Sequence, residues 1–186
     1  MGTVLAIRPV ETPHLILREI EHGDAGELAG FMTQPRYQRH ITHRLRNESM
    51  VREFVARQVA ARNDARRQIY HLAAEEKSSS EVVGDGFIVS HGNGSFELGW
   101  GVHPAMWSMG LGTEIGRALL AIGFERLKAQ SLWCKVMADN DASARLARRI
   151  GMDAKLKRED YPLGQGKTVA VNIYVMTLAA YFDSPY

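Results

Sequence analysis

The residues "WGVHPAMWSMGLGTEIGRALL", Trp100 to Leu120, decide how this chain folds. They begin in a pattern typical of a strand, pass a proline-containing turn and continue into a long apolar helix. Two glycines, Gly110 and Gly112, precede that helix. Glycines at this place either close a tight turn or let backbone N–H groups come close to an anion. By itself the stretch leaves both interpretations open.

Composition predicts one globular α/β domain over residues 1–186. The chain is 45% apolar and 24% charged, with a net charge of +2. That charge is too small to indicate a nucleic-acid partner, and no apolar run approaches the roughly 18 residues of a membrane span. Cys134 is the single cysteine, which excludes an internal disulfide and any site built from several cysteines. We therefore expect a cytoplasmic protein.

Before the opening stretch, the pattern predicts a strand, two helices and then three strands. "LILREI" (15–20) is typical of a strand, and Asp24 is the expected N-cap of the first helix. Residues 33–46 lack periodicity and are expected to form a loop. The second helix is expected to begin at Asn47 or Ser49 and to end near residues 63–64. "IYHLAAEE", "EVVGDGFIVS" and "FELGWGV" then follow as strands separated by polar turns.

After the opening stretch, the chain alternates between strands and helices. "SLWCKVMA" (131–138) predicts a strand, and residues 140–150 predict a helix with Gly151 as its C-terminal cap. Two final strands are expected near 152–157 and 167–178, joined by the loop "EDYPLGQG". The predicted order is β-α-α-β-β-β-α-β-α-β-β.

Two motifs in this order resemble those of the GNAT superfamily of acyl-CoA-dependent N-acyltransferases, in particular its RimJ/RimL-like branch. "ELGWGVHPAMWSMGLGTEIGRALLAIGFERL" carries the family's Gln/Arg-x-x-Gly-x-Gly/Ala pattern, with Gly110 and Gly112 at the glycine positions and Trp107 at the leading position. "NDASARLARRIGM" carries Asn-x-x-Ser as Asn140 and Ser143. "TPHLILREIEHGDAGEL" and "VNIYVMTLAAYF" resemble the family's first and last elements. The resemblance implies a mixed, mostly antiparallel twisted sheet of about seven strands flanked by about four helices.

The same resemblance implies where acetyl-CoA binds. Its pyrophosphate would accept hydrogen bonds from the backbone of Met109, Gly110, Leu111, Gly112 and Thr113. The strand through Trp100, Gly101 and Val102 would part from its neighbour and pair with the pantetheine arm. The Val102 N–H is then a candidate donor to the thioester oxygen. Asn140 would bind the pantetheine or position a water, and it is equally a candidate N-cap.

Glu97 is the leading candidate for the base that deprotonates the amine. Strict alternation along "SFELGWGV" places Phe96, Leu98, Trp100 and Val102 on one face and Glu97 beside two glycines on the other. The competing interpretation is a solvated glutamate on the strand surface. Ser143 is the candidate acid for the CoA thiolate, as the resemblance implies, and its alternative role is a backbone hydrogen bond in the first helical turn.

The remaining candidates have simpler explanations. Tyr37, Arg39, His40 and His43 lie where this fold forms a wall of the acceptor site, and we expect a mobile lid there rather than a metal site. Tyr161 is expected in a surface turn. Cys134 alternates with apolar residues and is expected to be buried and inert, and Glu114 is expected to be structural.

The sequence thus predicts an N-acetyltransferase that uses acetyl-CoA and direct attack by a primary amine, without a metal. Its acceptor is either a protein or peptide N-terminus or a small amine. A second class of function stays open, namely a non-catalytic acyl-CoA sensor or binding module. A homodimer and a monomer also both stay open.

Overall fold

The computed structural model describes residues 6–42, 44–164 and 167–183, and in this part of the chain eight strands form one sheet. The strands are β1 (Val10–Glu11), β2 (Leu15–Glu19), β3 (Ile69–Glu76), β4 (Val82–Ser90), β5 (Ser95–Val102), β6 (Ser131–Met137), β7 (Asp153–Gly164) and β8 (Lys167–Thr177). Their order in the sheet is β1-β2-β3-β4-β5-β6-β8-β7. Every neighbouring pair is antiparallel except β5 and β6.

Six α-helices accompany these strands in the described residues. They are α1 (Ala25–Met32), α2 (Pro35–Gln38), α3 (Glu48–Ala61), α4 (Leu111–Ala121), α5 (Asp141–Arg149) and α6 (Leu178–Phe182). A π-helical turn, Ile122–Arg126, extends α4, and short 3-10 turns occur at His22–Asp24 and Pro104–Met106. The predicted mixed, mostly antiparallel sheet flanked by helices is confirmed. The short elements β1, α2 and α6 are additions to the predicted order.

Two segments predicted as loops contain regular structure. α2 lies within residues 33–46, where Pro35 occupies the first helical turn and its fixed φ suits that position. β7 continues through Tyr161 to Gly164 and pairs with β8, so "EDYPLG" is part of a long hairpin strand. Several register shifts in β7 hide the period of two that would have revealed the strand.

Helix caps decide where the helices begin. Asn47 accepts a hydrogen bond from Met50 N at 2.9 Å, which confirms the expected start of α3. Asp24 is the N-cap residue of α1, as predicted, but its side chain makes no capping hydrogen bond to that helix. Its carboxylate instead accepts two 2.9 Å hydrogen bonds from Arg18 and one from Glu21 N. The partly buried guanidinium of Arg18 outcompetes the helix N-terminus for this carboxylate.

The sheet has a different set of helices on each face. α4 covers one face, where Ile115, Leu119 and Ile122 are fully buried. α1 and α3 cover the other face with a second core cluster that includes Phe31 and Val51. The two faces are therefore separately packed, and side chains of β5 alternate between them. No helix in the described residues is long and apolar enough to cross a membrane.

Candidate active site

A cleft opens where β5 and β6 part. The two strands pair at Ser95–Ser131, Phe96–Leu132 and Glu97–Trp133, and the register ends there. Burial changes at the same point, because residues 96–98 are buried whereas 99–103 are partly exposed. β5 stays paired with β4 as far as Val102, and β6 stays paired with β8 as far as Met137, so the gap lies between β5 and β6. The parting predicted for the strand of Trp100, Gly101 and Val102 is therefore present in the geometry.

Backbone groups of β5 point into this cleft. His103 N donates a 2.7 Å hydrogen bond to the carbonyl of Val83 in β4, so this N–H points towards β4. Successive N–H groups of a strand point to opposite sides, so the N–H groups of Val102 and Trp100 are directed towards the side that β6 has left. The Val102 carbonyl accepts a 2.8 Å hydrogen bond from Trp107 Nε1. Val102 N–H remains the donor that this end of β5 offers to a ligand.

The N-terminus of α4 supplies further donors. Gly110 is the N-cap with a φ of +87°, and a Cβ placed on it would meet nothing within 4 Å. Thr113 N donates back to Gly110 O at 2.9 Å. Within the described part of the chain, the N–H groups of Leu111 and Gly112 meet no acceptor. Free N–H groups and the positive end of the helix dipole make this turn suited to an anion.

An open groove of about 570 Å³ lies beside this turn. Gly110, Thr113, Glu114 and Arg117 contribute to its wall from α4, Arg149 from α5, and residues 10–13 from the other side. Glu114 holds the groove together as predicted for a structural residue, because its carboxylate accepts hydrogen bonds from Thr12 Oγ1 at 2.6 Å and His14 N at 3.0 Å.

Gly112 has a second reason to lack a side chain. A Cβ there would lie 2.7 Å from Leu146 Cδ1 of α5, and one at Gly116 would lie 3.0 Å from Ile150 Cδ1. The two glycines, one turn apart, let α4 and α5 approach closely. Gly112 therefore combines a packing role with a free N–H, whereas the space above Gly110 is open.

Asn140 and Ser143 meet at the start of α5. Asn140 Oδ1 accepts a 3.2 Å hydrogen bond from Ser143 N, which confirms that Asn140 is the N-cap. Ser143 is half-buried, and its hydroxyl has no hydrogen-bond partner among the described residues. Its predicted role towards the CoA thiolate stays a prediction.

Glu97 is buried and paired. The predicted alternation is confirmed, since Phe96 and Leu98 belong to the core on the α4 face and Glu97 points to the opposite face. Glu97 is 8% exposed, Lys135 Nζ lies 2.7 Å from its Oε1, and His91 Nε2 lies 3.3 Å from its Oε2. It is therefore not a solvated surface glutamate.

Lys135 stays charged beside Glu97. Burial opposes that charge, but the hydrogen bond and attraction from Glu97 outweigh it, so the pKa of Lys135 lies above its usual value. The Tyr161 ring lies 5.0 Å from Lys135 Nζ, so Tyr161 belongs to this cluster rather than to a surface turn. Gly101 lies four positions beyond Glu97 in the sequence, which is roughly 13 Å along a strand.

A second acidic residue, which the sequence interpretation missed, lies opposite Gly101. Asp85 is 5% exposed, and Gly101 is its partner in the β4–β5 register. Tyr37 Oη donates a short hydrogen bond to Asp85 Oδ1, and His71 Nε2 lies 2.7 Å from Oδ2. The sequence signal was an acid between two glycines in an apolar strand, "VVGDGFIV".

Tyr37 fills the space that Gly101 leaves empty. A Cβ on Gly101 would collide with Tyr37 Oη and Asp85 Oδ1. Burial, followed by the charge and hydrogen bond of Asp85, raises the pKa of Tyr37 well above its usual value. The phenol therefore keeps its proton at neutral pH and remains a donor to Asp85.

The other predicted wall residues lie at the edge of the site. Arg39 Nη2 and His40 Nε2 lie 3.9 and 3.4 Å from Asp139 Oδ2, beside the Asn140 cap. His43 lies outside the described residues. In the described ranges, no group of three or more His, Cys, Asp and Glu side chains is arranged to hold a metal ion.

Cys134 is not a nucleophile in this fold. It is 2% exposed, and its Sγ contacts Met152 Sδ at 3.8 Å. Burial and the charge of Glu97 raise the pKa of the Cys134 thiol to about 12. A thiol that stays protonated and covered cannot attack a thioester, which confirms the expected inert cysteine.

Comparison with known proteins identifies the family of this architecture. A family profile described as Acetyltransferase (GNAT) domain matches residues 14–153. The uncharacterized N-acetyltransferase YoaA of Bacillus subtilis (strain 168) is 25% identical over 169 residues, which cover 89% of this chain and 94% of YoaA.

Solved structures share the whole fold. A GNAT-family acetyltransferase from Bacillus anthracis superposes with a TM-score of 0.82 at 17% identity, covering 92% of this chain and 99% of that one. RimL, a ribosomal L7/L12 alpha-N-protein acetyltransferase solved with coenzyme A, superposes with a TM-score of 0.78 at 16% identity, covering 93% and 99%. At these identities the likeness establishes the fold.

Proposed function

The chain belongs to the GNAT family of acetyltransferases, and from that premise we propose that it transfers the acetyl group of acetyl-CoA to a primary amine by direct attack in a ternary complex. The observation that carries this proposal is the cleft between β5 and β6, which runs towards the free N–H groups of α4. We propose that the protein works in the cytoplasm. Light scattering would measure separately whether the protein is a homodimer or a monomer.

The residues around the cleft fit coenzyme A. The turn of Met109, Gly110, Leu111, Gly112 and Thr113 offers backbone donors for a pyrophosphate, and the edge of β5 at Trp100, Gly101 and Val102 offers a strand-like partner for the amides of pantetheine. The Asn140 side-chain amide, at the N-terminus of α5, still has its N–H donors available, because the cap uses only its oxygen. Bound acetyl-CoA supplies the activated acyl group.

Three groups of this chain carry the proposed chemistry. Val102 N–H donates to the thioester oxygen while negative charge develops there. Glu97 accepts one proton from the amine through water, which its distance from Gly101 requires. The amine nitrogen forms the new bond to the acyl carbon as the carbon–sulfur bond breaks. Ser143 gives its hydroxyl proton to the departing thiolate and regains a proton from solvent.

The acceptor is a primary amine of one of two kinds. One is a protein or peptide N-terminus, the class that the name of the RimL enzyme specifies for that protein. The other is a small amine. The alternative function is a non-catalytic acyl-CoA sensor on the same fold, for which the paired state of Glu97 is the supporting observation.

The decisive experiment measures release of free CoA from acetyl-CoA across a panel of small amines and N-terminal peptides. We expect one amine class to stimulate release and an acetylated product to appear by mass spectrometry. A protein that binds acetyl-CoA by calorimetry, yet acetylates nothing in the panel, would support the sensor instead.

A further inference from the structure

Asp85 is a buried carboxylate on the sheet face opposite α4, which we call the acceptor face. It points away from α4, as Glu97 does, because residues facing each other across β4 and β5 share a face and Asp85 faces Gly101. The glycines on either side of it point the other way. A Cβ on Gly86 would lie 3.0 Å from Leu119 Cδ1 of α4, and one on Gly84 would lie 3.0 Å from Ile115 Cδ1. These glycines hold the strand against α4, and Asp85 faces the opposite side.

No lysine or arginine of the described residues pairs with Asp85, and His71 forms an ion pair with it only when the imidazole is protonated. Among the described residues its carboxylate contacts the phenol of Tyr37 and the imidazole of His71, and neither lysine nor arginine reaches it. This differs from Glu97, which Lys135 neutralises at 2.7 Å. A buried carboxylate that no lysine or arginine neutralises attracts a cation that can enter beside it.

Aromatic rings surround this carboxylate. The Phe54 ring meets His71 edge-on at 4.8 Å, and the Phe31 ring meets Tyr37 edge-on at 5.2 Å. Phe87 packs directly over Gly99, one step along β5 from Gly101 on the same face. Tyr37, Phe54, His71 and Phe87 are all partly exposed, so this surface is open to solvent while Asp85 lies beneath it. Ring faces around an anion also favour a cation.

We propose that Asp85 binds the ammonium group of the acceptor, and that Tyr37 and His71 are positioning residues that orient its two oxygens. The ammonium enters between the rings of Phe54, His71 and Phe87 to reach Asp85, because Tyr37 already fills the space over Gly101. This rests on the proposed function, and it specifies the substrate class as a cationic primary amine. The step is recognition alone, and no bond forms. The bound ammonium first loses one proton to bulk water and becomes the neutral amine, and the amine proton lost as the carbon–nitrogen bond forms follows the route proposed through Glu97.

The test compares Asp85→Asn with the wild type, using the amine that gives turnover in the panel. We expect the KM for that amine to rise about 10- to 100-fold, the range for loss of a hydrogen bond to a charged group, while the KM for acetyl-CoA stays within twofold. The alcohol that replaces –NH₃⁺ by –OH in the same skeleton serves as a competitive inhibitor. Wild type should prefer amine to alcohol, and Asp85→Asn should lose most of that preference.

Two further variants keep the test decisive if Asp85→Asn folds poorly. Tyr37→Phe removes only the hydroxyl and should raise the amine KM several-fold. Asp153→Asn makes the same chemical change at an exposed carboxylate of β7 that pairs with Lys155, and it should leave the amine KM unchanged. Equal amine KM values in wild type, Asp85→Asn and Tyr37→Phe would overturn the proposal.

A binding measurement separates this proposal from the proposed function. Calorimetry with CoA in place of acetyl-CoA reports amine binding without turnover. Amine binding that depends on Asp85, in a protein that acetylates none of the panel, would support Asp85 as the ammonium site and refute the acetyltransferase mechanism. A wild type that binds no amine of the panel would refute the ammonium site.

Discussion

The indole of Trp107 and the carbonyl of Val102 are joined by a 2.8 Å hydrogen bond from Nε1 to O. This bond ties the turn before α4 to the last residue of β5, one of the two strands that border the cleft. Trp107 occupies the motif position where the family has Gln or Arg. Its ring is 43% exposed and lies 5.0 Å from the Arg36 guanidinium, so the departure from the motif has a structural role.

Replacing Trp107 by Phe should weaken acetyl-CoA binding. The ring remains, but the hydrogen bond to Val102 O is lost, and one neutral hydrogen bond contributes about 0.5–1.5 kcal/mol. We expect the Kd for acetyl-CoA, measured by calorimetry, to rise about 2- to 10-fold. Trp133→Phe makes the same chemical change on the acceptor face and serves as the control. Equal Kd values for the two variants would show that the bond does not shape the cleft.

Glu97→Gln tests the proposed base. The amide has the shape of the carboxylate but cannot accept the amine proton, and a positioned base contributes about 10²–10⁴-fold. We expect kcat to fall by at least about 100-fold while acetyl-CoA affinity is retained. If thermal stability falls instead and kcat is unchanged, the pair with Lys135 is structural.

Ser143→Ala tests the proposed acid. Because the capping bond runs from the Ser143 backbone N–H to Asn140 Oδ1, the substitution leaves the cap in place and removes only the hydroxyl. We expect kcat to fall by about 100-fold, in line with loss of a positioned acid. Ser49→Ala removes a hydroxyl from the first turn of α3 and should have no effect. Full activity of Ser143→Ala would assign the proton to water.

Gly84→Ala should destabilise the fold. A Cβ there would lie 2.7 Å from the backbone oxygen of Gly101, and backbone cannot move aside as a side chain end can. Overpacking of this kind costs about 1–3 kcal/mol, measured as the change in free energy of unfolding in urea. Gly26→Ala, where a Cβ meets nothing within 4 Å, is the matched control. A loss no greater than that of the control would mean that β4 and β5 can spread at this point.

The carboxylate of Glu114 should stabilise the fold in a pH-dependent way. Burial disfavours its charge, but hydrogen bonds from Thr12 and His14 outweigh that effect and lower the pKa of Glu114. Since the folded pKa lies below the unfolded one, the stabilisation is present at neutral pH and is lost as the pH falls through the folded pKa.

Thermal unfolding across a pH series checks this. We expect Glu114→Gln to lower Tm near pH 7, and the difference from wild type to shrink as the pH falls below the usual glutamate pKa of about 4.3. Glu53→Gln, an exposed change on α3, should give curves parallel to the wild type throughout. A difference that grows on acidification would contradict the assignment.

Local patterns were enough to predict the elements that have a clear period. Alternation placed Glu97 on the face opposite Phe96 and Leu98 because no register shift interrupts β4 and β5. Asn47 was recognised because a polar cap followed by an apolar helical stripe is a local signal. β7 was cut short because its register shifts break the period of two. The extent of the domain, residues 1–186, stays a prediction.

Contacts between residues that are distant in the sequence could not be predicted from these local patterns. Tyr37 and Asp85 are 48 residues apart and meet only because α2 folds over Gly101. Lys135, which pairs with Glu97, comes from the one strand that runs parallel to β5. Local sequence patterns predict neither the Tyr37–Asp85 contact nor the Lys135–Glu97 contact. Periodicity indicates which face of the sheet a residue lies on, but not which residues lie beside it.

The parting of β5 from β6 also divides the sheet mechanically. Five strands lie on one side and three on the other, and three residue pairs at one end are the backbone connection between them. A molecule lying along the open length acts as a ninth strand that bridges the two parts. Amide hydrogens of β6 and β8 should therefore exchange more slowly when the cleft is filled, and the substrate would be a structural member of the sheet for as long as it stays bound.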